Sequence, residues 1–447
     1  MSMTSKKSGT IEFDRRSLMR MGFGLAGGAV APAFFARGAR AETIGTYPAG
    51  VGKDSVFVGI TVPLTGSYSQ DGKDELRGYQ LAIEQINAGD QAARQWGLSG
   101  SGLLGKQVRY GYADSETKPN PAVQAQTRFI THDKAIMISG SVSSATAVAL
   151  EKLAQREKVL NMVGASGSNA TTGKDCQRYG FRSQPSAYMA AKALAPVLVK
   201  ALGAHVKAAY LVPDYTYGTS LFASMDGATR KLGWQTVSKQ LVPLGTTDFS
   251  SSLINIANSG ADVFVNIAFG NDSIASNKQA KQFGVLPKMK LVVPNISPFQ
   301  YQESGDDIMA GVYGTQDFIW QLEDRFPLAK TFVETFDAKF KYKPEWTAHI
   351  AYLQTYIWAL AVSHAGSFSP VKVIKELESG RKFDSTVGEV HYLAYNHQLV
   401  RPVPVVVANT HAEMKSPDDY YRLIEMVPGE GLVPPPGMFG CKLGSYT

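Results

Sequence analysis

The side chains of this chain best placed to do chemistry are hydroxyl groups in short, glycine-flanked loops. Gly140-Ser141-Val142-Ser143-Ser144, Gly164-Ala165-Ser166-Gly167-Ser168-Asn169 and Asp214-Tyr215-Thr216-Tyr217-Gly218 each follow an apolar, β-branched run. A serine at such a strand end can cap the helix that follows, and its hydroxyl and the free backbone N–H groups beside it are donors suited to an anion. Taken singly, each loop is an ordinary helix start. Taken together they read as donors converging on a small ligand from two lobes, a binding cleft without reaction machinery.

Other chemistries find little support. None of His132, His205, His349, His364, His391, His397 and His411 has a second ligand at zinc spacing, and no H-E-x-x-H occurs, so no metal is expected. The nearest approach to a nucleophile elbow, Gly164-Ala-Ser166-Gly-Ser168, lacks the closing glycine. Gly100-Ser-Gly102-Leu-Leu-Gly105 has dinucleotide-type spacing but leads into a strand instead of opening a helix, so it reads as a turn and no cofactor is expected. With no nucleophile–base pair in evidence, an enzyme is not expected; an exported hydrolase is the weaker alternative.

These loops need elements to hold them. Strand-like runs at Val56–Val62, Gln107–Ala113, Ala135–Ser139, Val159–Val163, His205–Val212, Thr236–Leu241, Ala261–Ile267 and Lys290–Val293 alternate with helical patterns such as Lys73–Ala88, Pro121–His132, Ala145–Glu157, Tyr188–Leu202 and Gly218–Leu232. Such alternation predicts α/β architecture with parallel sheets covered by helices on both faces. In the opening segment Leu76, Tyr79, Ile83 and Ile86 form an apolar helical stripe, and Gly66 and Gly72 are the expected φ > 0 positions of the loop before it. Two series run in tandem, parting near Phe181–Ser186. Past Gly311–Gln321 come two long helical patterns, then strands at Val387–Tyr392 and Val403–Val407, and a Pro/Gly-rich tail over 426–447.

Ahead of all this, Arg15-Arg16 precede a modest apolar run and Ala39-Arg40-Ala41, the order of a secretory leader over residues 1–41 with a twin-arginine look. The whole chain has 45 Lys+Arg against 38 Asp+Glu, and the leader holds seven and two of them, leaving a mature chain of only about +2. No basic, aromatic-interleaved patch suggests a nucleic-acid partner, and no later stretch is long enough to span a bilayer. Cys176 and Cys441 are the two cysteines. An even count in an exported chain favours a disulfide, with two free thiols as the alternative.

Pro63-Leu64-Thr65-Gly66, Gly72, Gly78, Ala82-Ile83 and Ile86-Asn87, then Gly105-Lys106 leading to Asp114 and Pro121-Ala122, then Ser143-Ser144, Tyr217-Gly218 and Tyr352 form an ordered series. On these residues the chain resembles the type I periplasmic solute-binding proteins of the leucine/isoleucine/valine-binding group, over nearly all of 54–410. The resemblance implies two doubly wound parallel-sheet lobes joined by a three-strand hinge: 54–182 with 316–386, and 183–315 with 387–425, crossing near Arg182, Gln316 and Val387. It implies a periplasmic receptor that captures an amino acid or similar small carboxylate or amide and delivers it to a membrane ABC permease; a ligand-sensing receptor of the same fold is the alternative. By position, Ser143, Ser144, Ser166 and Ser168 would hold a carboxylate, and Tyr68, Tyr217 and Phe269 would supply apolar walls. The second-lobe acid that meets the ammonium in amino-acid-binding relatives is replaced by Asn295-Ile296-Ser297. Asp71 stands where many relatives carry an aromatic residue; it is either a contact for a ligand cation or a solvated loop aspartate, since turns favour Asp on their own account.

Overall fold

The computed structural model describes residues 51–446, so the expected leader over 1–41 lies outside the described residues. Strands β1 (Ser55–Val62), β2 (Gln107–Asp114), β3 (Ala135–Gly140), β4 (Leu160–Val163) and β5 (Gly180–Arg182) form a parallel sheet in the order β2-β1-β3-β4-β5. Parallel neighbours need crossover connections. Here α1 (Ser69–Ala88) with the short α2 (Gln91–Gln95), α3 (Pro119–Thr131) and α4 (Ser144–Glu157) provide three of them. This is the first lobe.

The second lobe repeats the scheme. Strands β6 (Lys207–Pro213), β7 (Gln235–Val242), β8 (Val263–Asn266), β9 (Lys290–Asn295) and β10 (Tyr313–Thr315) are parallel. Helices α5 (Ala187–Leu202), α6 (Thr216–Arg230), α7 (Ser250–Ala257), α8 (Gly270–Gln282), α9 (Pro298–Ser304) and α10 (Asp306–Met309) accompany them. The chain then returns to the first lobe through α11 (Pro327–Phe340), α12 (Trp346–Ala365) and α13 (Pro370–Leu377). Apolar on nearly every face, α12 is buried from Trp346 to Val362, as a helix without a polar side must be. It lies directly on α1 at Gly78, where a Cβ would come 2.1 Å from the Ala348 carbonyl oxygen.

The structure departs from the sequence reading at three places. Gly66 has φ +85°, but Gly72 is not in the left-handed region: helix α1 begins at Ser69, and Gly72 is required because a Cβ there would sit 1.9 Å from the Pro63 carbonyl oxygen. The strand expected over Val387–Tyr392 shrinks to β11 (His391–Tyr392), paired with β12 (Leu399–Val400), because Ser385–Gly388 folds into a turn with Gly388 at φ +94°. This pair packs on β5, with His397 stacked on Phe181 at 3.9 Å and Tyr392 edge-on to it at 5.1 Å. The third passage between lobes therefore follows Val400 instead of falling near Val387. Finally, β13 (Val403–Ala408) and β14 (Tyr421–Val427) join the second sheet antiparallel, so that sheet runs β14-β13-β10-β9-β8-β6-β7 and is mixed at one edge. Among the described residues no helix is long and apolar enough to cross a membrane.

Beyond β14 the tail returns to the first lobe, where Cys441 is disulfide-bonded to Cys176. Arg178 donates to the Gly444 carbonyl at 3.0 Å and the Tyr179 hydroxyl to that of Tyr446 at 2.8 Å. Glu378 accepts from Arg178 at 2.5 Å, from His397 Nε2 at 2.7 Å and from the Tyr446 hydroxyl. Burial alone would push its carboxyl up; the donors from His397, Tyr446 and Arg178 outweigh that and hold it at about 2.

Two outcomes are expected. Replacing both cysteines, Cys176→Ser with Cys441→Ser, should cost about 2–5 kcal/mol by releasing the unfolded chain from a long closed loop; thermal melts should show the loss, and reductant should reproduce it in the wild type but change nothing in the double variant. The depressed Glu378 carboxyl adds stability that is present above the usual carboxylate range and lost as pH falls from about 4 through 2. Glu378→Gln should therefore be about 1–3 kcal/mol less stable than wild type at neutral pH, with the gap closing in denaturant titrations toward pH 2.

Candidate functional site

In an open α/β sheet, ligands bind outside the carboxyl ends of the strands, where the winding order reverses. The first sheet reverses between β1 and β3 and the second between β6 and β8. The loops that leave β1, β6 and β8, with those after β4 and β9 beside them, are the ones that meet. The Tyr68 and Tyr215 hydroxyls are 2.6 Å apart, and the Asn271 N–H donates to the Ser67 carbonyl at 2.9 Å. The Ser168 hydroxyl lies 2.8 Å from that of Thr216 and 3.0 Å from that of Ser220, and the Phe299 N–H donates to Glu345 Oε1 at 3.0 Å. Closest of all is Gly270, at φ +57°, where a Cβ would stand 2.5 Å from the Ser67 carbonyl oxygen; only a bare backbone fits.

Between these contacts lies a cavity of about 10 Å³, room for about one water. Its wall contains Tyr217, Phe269 and Asn295, which the sequence singles out, and Gln184, Tyr215 and Trp346, which it does not. Behind the wall, Tyr68, Phe269 and Trp346 form a chain of rings with centroids 5.5 and 5.6 Å apart. Trp346 opens α12, far along the chain, and only tertiary packing brings it here; Tyr215 lay in plain view beside Tyr217.

The serines are brought together, but mostly bonded to one another. Ser144 Oγ accepts from the Ser166 hydroxyl at 3.1 Å and from the Ser168 N–H at 3.2 Å. Ser166 also meets Thr171 at 3.1 Å, and Ser168 reaches across to α6. Ser143 Oγ alone of the four is buried with no partner. Under this loop the buried Arg182 guanidinium donates to the Ser166 and Ser168 carbonyls, so its charge supports the loop from behind.

Beside the serine loop, which touches Glu75, several acids are buried. Asp71 lies in the first turn of α1, 2% exposed, so it is not a solvated loop residue. Asp74 and Glu75 follow it at i+3 and i+4, and Glu345 precedes Trp346; all are buried. Asp74 is fully engaged with the Tyr342 hydroxyl at 2.6 Å, the Thr347 hydroxyl at 2.8 Å and the Ala348 N–H at 2.8 Å. Glu75 Oε1 accepts from the Ala165 N–H and the Tyr79 hydroxyl, both at 3.3 Å. Asp71 Oδ1, Glu75 Oε2 and Glu345 Oε2 are buried without a partner. Burial pushes all four carboxyls up, with neighbouring negative charge adding to it at Asp71, Glu75 and Glu345; Asp71 and Glu75 reach about 8. The sequence signal for this group was charge at helical spacing on the face that also carries Tyr79, a face that must be buried. Among the described residues no three His, Cys, Asp or Glu side chains are grouped as metal ligands would be.

The sequence profile of the family described as periplasmic binding protein matches residues 55–413. A Leu/Ile/Val-binding protein homolog from Brucella abortus is 24% identical over 340 residues, covering 72% of this chain and 80% of that protein. Among solved structures, a periplasmic binding protein from Burkholderia mallei superposes with a TM-score of 0.79 at 23% identity, covering 88% of this chain and 100% of the other. An amino acid ABC transporter substrate-binding protein from Pseudomonas fluorescens gives 0.77 at 25% identity, with the same 88% and 100%. With two α/β lobes closing over a crevice at their switch points and a profile match across most of its length, the chain belongs to the periplasmic binding protein family.

Proposed function

We propose that this protein captures a small organic solute, an amino acid or a similar small carboxylate or amide, in the periplasm and presents it to a membrane ABC permease without transforming it. The observation that carries this reading is the set of hydrogen bonds between lobes around the cavity. Tyr68 to Tyr215, Ser67 to Asn271 and Ser168 to Thr216 each join one lobe to the other across the crevice. A solute enclosed there would touch both lobes and shift the balance between open and closed forms by its preference for the closed one. The chemistry of the wall is suited to holding and not to reacting: four rings and the carboxamides of Gln184 and Asn295 line the cavity.

Two outcomes test this. In a thermal-shift screen of amino acids, amides, aromatic acids and short carboxylates, one class should stabilise the protein, by about 2.7 kcal/mol at a hundredfold excess over Kd. Tyr217→Ala should lose that response while keeping its circular dichroism; a full response in the variant would remove the cavity from the binding site. Tyr215→Phe deletes the hydroxyl pair between lobes, worth about 0.5–1.5 kcal/mol. It should weaken the same solute about 2- to 12-fold by calorimetry, and small-angle scattering should show a larger radius of gyration without solute. Unchanged affinity would mean that closure and binding are uncoupled.

A further inference from the structure

Both donors and acceptors are left over at this cleft, but the ionisable groups among them are all acids. Ser143 Oγ, the Tyr217 hydroxyl and Trp346 Nε1 are buried without a partner and Ser144 Oγ only accepts, while Ser166 and Ser168 are engaged with Ser144, Thr171 and α6. Beside them stand the unpartnered acceptors Asp71 Oδ1, Glu75 Oε2, Glu345 Oε2 and, on the cavity wall itself, Gln184 Oε1. The buried Arg182 guanidinium spends its donors on the Ser166 and Ser168 carbonyls, Thr172 and Gln398. Buried carboxylates without a counter-charge are costly, and Asp71, Glu75 and Glu345, at the start of α1 and just before α12, each keep an unpartnered oxygen that a cation would supply with one.

Resting on the binding-protein reading above, we propose that the solute is recognised chiefly through a cationic group bearing N–H donors, an alkylammonium or an amidinium, seated against Asp71, with Glu75 and Glu345 acting on it through their charge from further off. A bare metal ion is a poorer fit, since the acids are not grouped as ligands of one ion. A quaternary ammonium would satisfy the rings but leave the free acceptors unpaired. Access follows from the division of the fold. Asp71 and Tyr68 belong to the first lobe, whereas Phe269 and Gly270, which cover them, belong to the second; Asp71 Oδ2 lies 3.4 Å from where a Gly270 Cβ would stand. Lifting the second lobe uncovers the acid, and closing it brings Phe269 over the bound cation to join Tyr68 and Trp346 of the first lobe, where ring faces attract positive charge. Burial holds the Asp71 and Glu75 carboxyls up near 8, so seating a cation there releases a proton and tightens as pH rises toward that value.

The test is calorimetry and thermal shift on the purified protein with five probes: methylamine, putrescine, tetramethylammonium, acetamide and glutarate. Methylamine or putrescine should bind, and tetramethylammonium, acetamide and glutarate should not. Asp71→Asn should weaken the amine roughly 10- to 100-fold while its thermal midpoint stays at or above that of wild type, because an uncompensated buried acid has been removed. Glu75→Gln, which keeps the acceptor for Ala165, should act in the same direction and serves if the first variant does not fold. Binding of glutarate or acetamide without the amines would overturn this inference and leave the binding-protein reading standing. So would equal binding of tetramethylammonium, or an amine affinity indifferent to both substitutions. Silence toward these probes and toward the full solute screen would overturn both.

Discussion

The cleft depends on one buried carboxylate. Asp74 sits on α1 and takes hydrogen bonds from the Thr347 hydroxyl and the Ala348 N–H at the beginning of α12, and from Tyr342 just ahead of it. More than 250 residues separate the partners in sequence. Three donors on one carboxylate offset part of the cost of its burial, and a hydrogen bond to a charged group is worth about 1.5–3 kcal/mol. The glycine contact at Gly78 fixes how near the two helices come, and the Asp74 bonds fix where along each other they lie. Asp71 and Glu75 on one helix, and Glu345 and Trp346 at the head of the other, inherit their positions from that register.

The second lobe contributes loops where the first contributes helices. Tyr215, Tyr217, Phe269 and Asn295 all stand at or just past strand ends, so their placement follows from the sheet's order. Glu345 spans both arrangements: one oxygen holds the α9 backbone of the second lobe, while the other faces the acid group of the first.

The parts of this architecture written in local pattern were readable. The alternation of β-branched runs with helical stripes marked most strands and helices, and strand-end loops such as Asp214–Gly218 carried cleft residues. What escaped were effects of distance. The serines looked like free donors because sequence cannot show that Ser144, Ser166 and Ser168 bond one another. Asp71 looked ambiguous because its exposure depends on Gly270, some two hundred residues away. Trp346 and Glu345 drew no notice because their meaning comes from α12 lying on α1. The segment around Val387 misled for the opposite reason: its β-branched residues suggested a strand, but Gly388 turns the chain before a ladder can form.

The bond between Cys176 and Cys441 has a topological side. Cys176 lies just before the chain first leaves the lower-numbered sheet, and Cys441 lies after it has come back from the last strand of the other. Every residue of the second sheet therefore falls inside one covalent ring. A single cut by a protease in any loop between the two cysteines opens that ring without dividing the molecule. The nicked protein remains one piece, its two lobes still tied. Damage at one exposed turn is then survivable in a way it would not be for an unbridged chain.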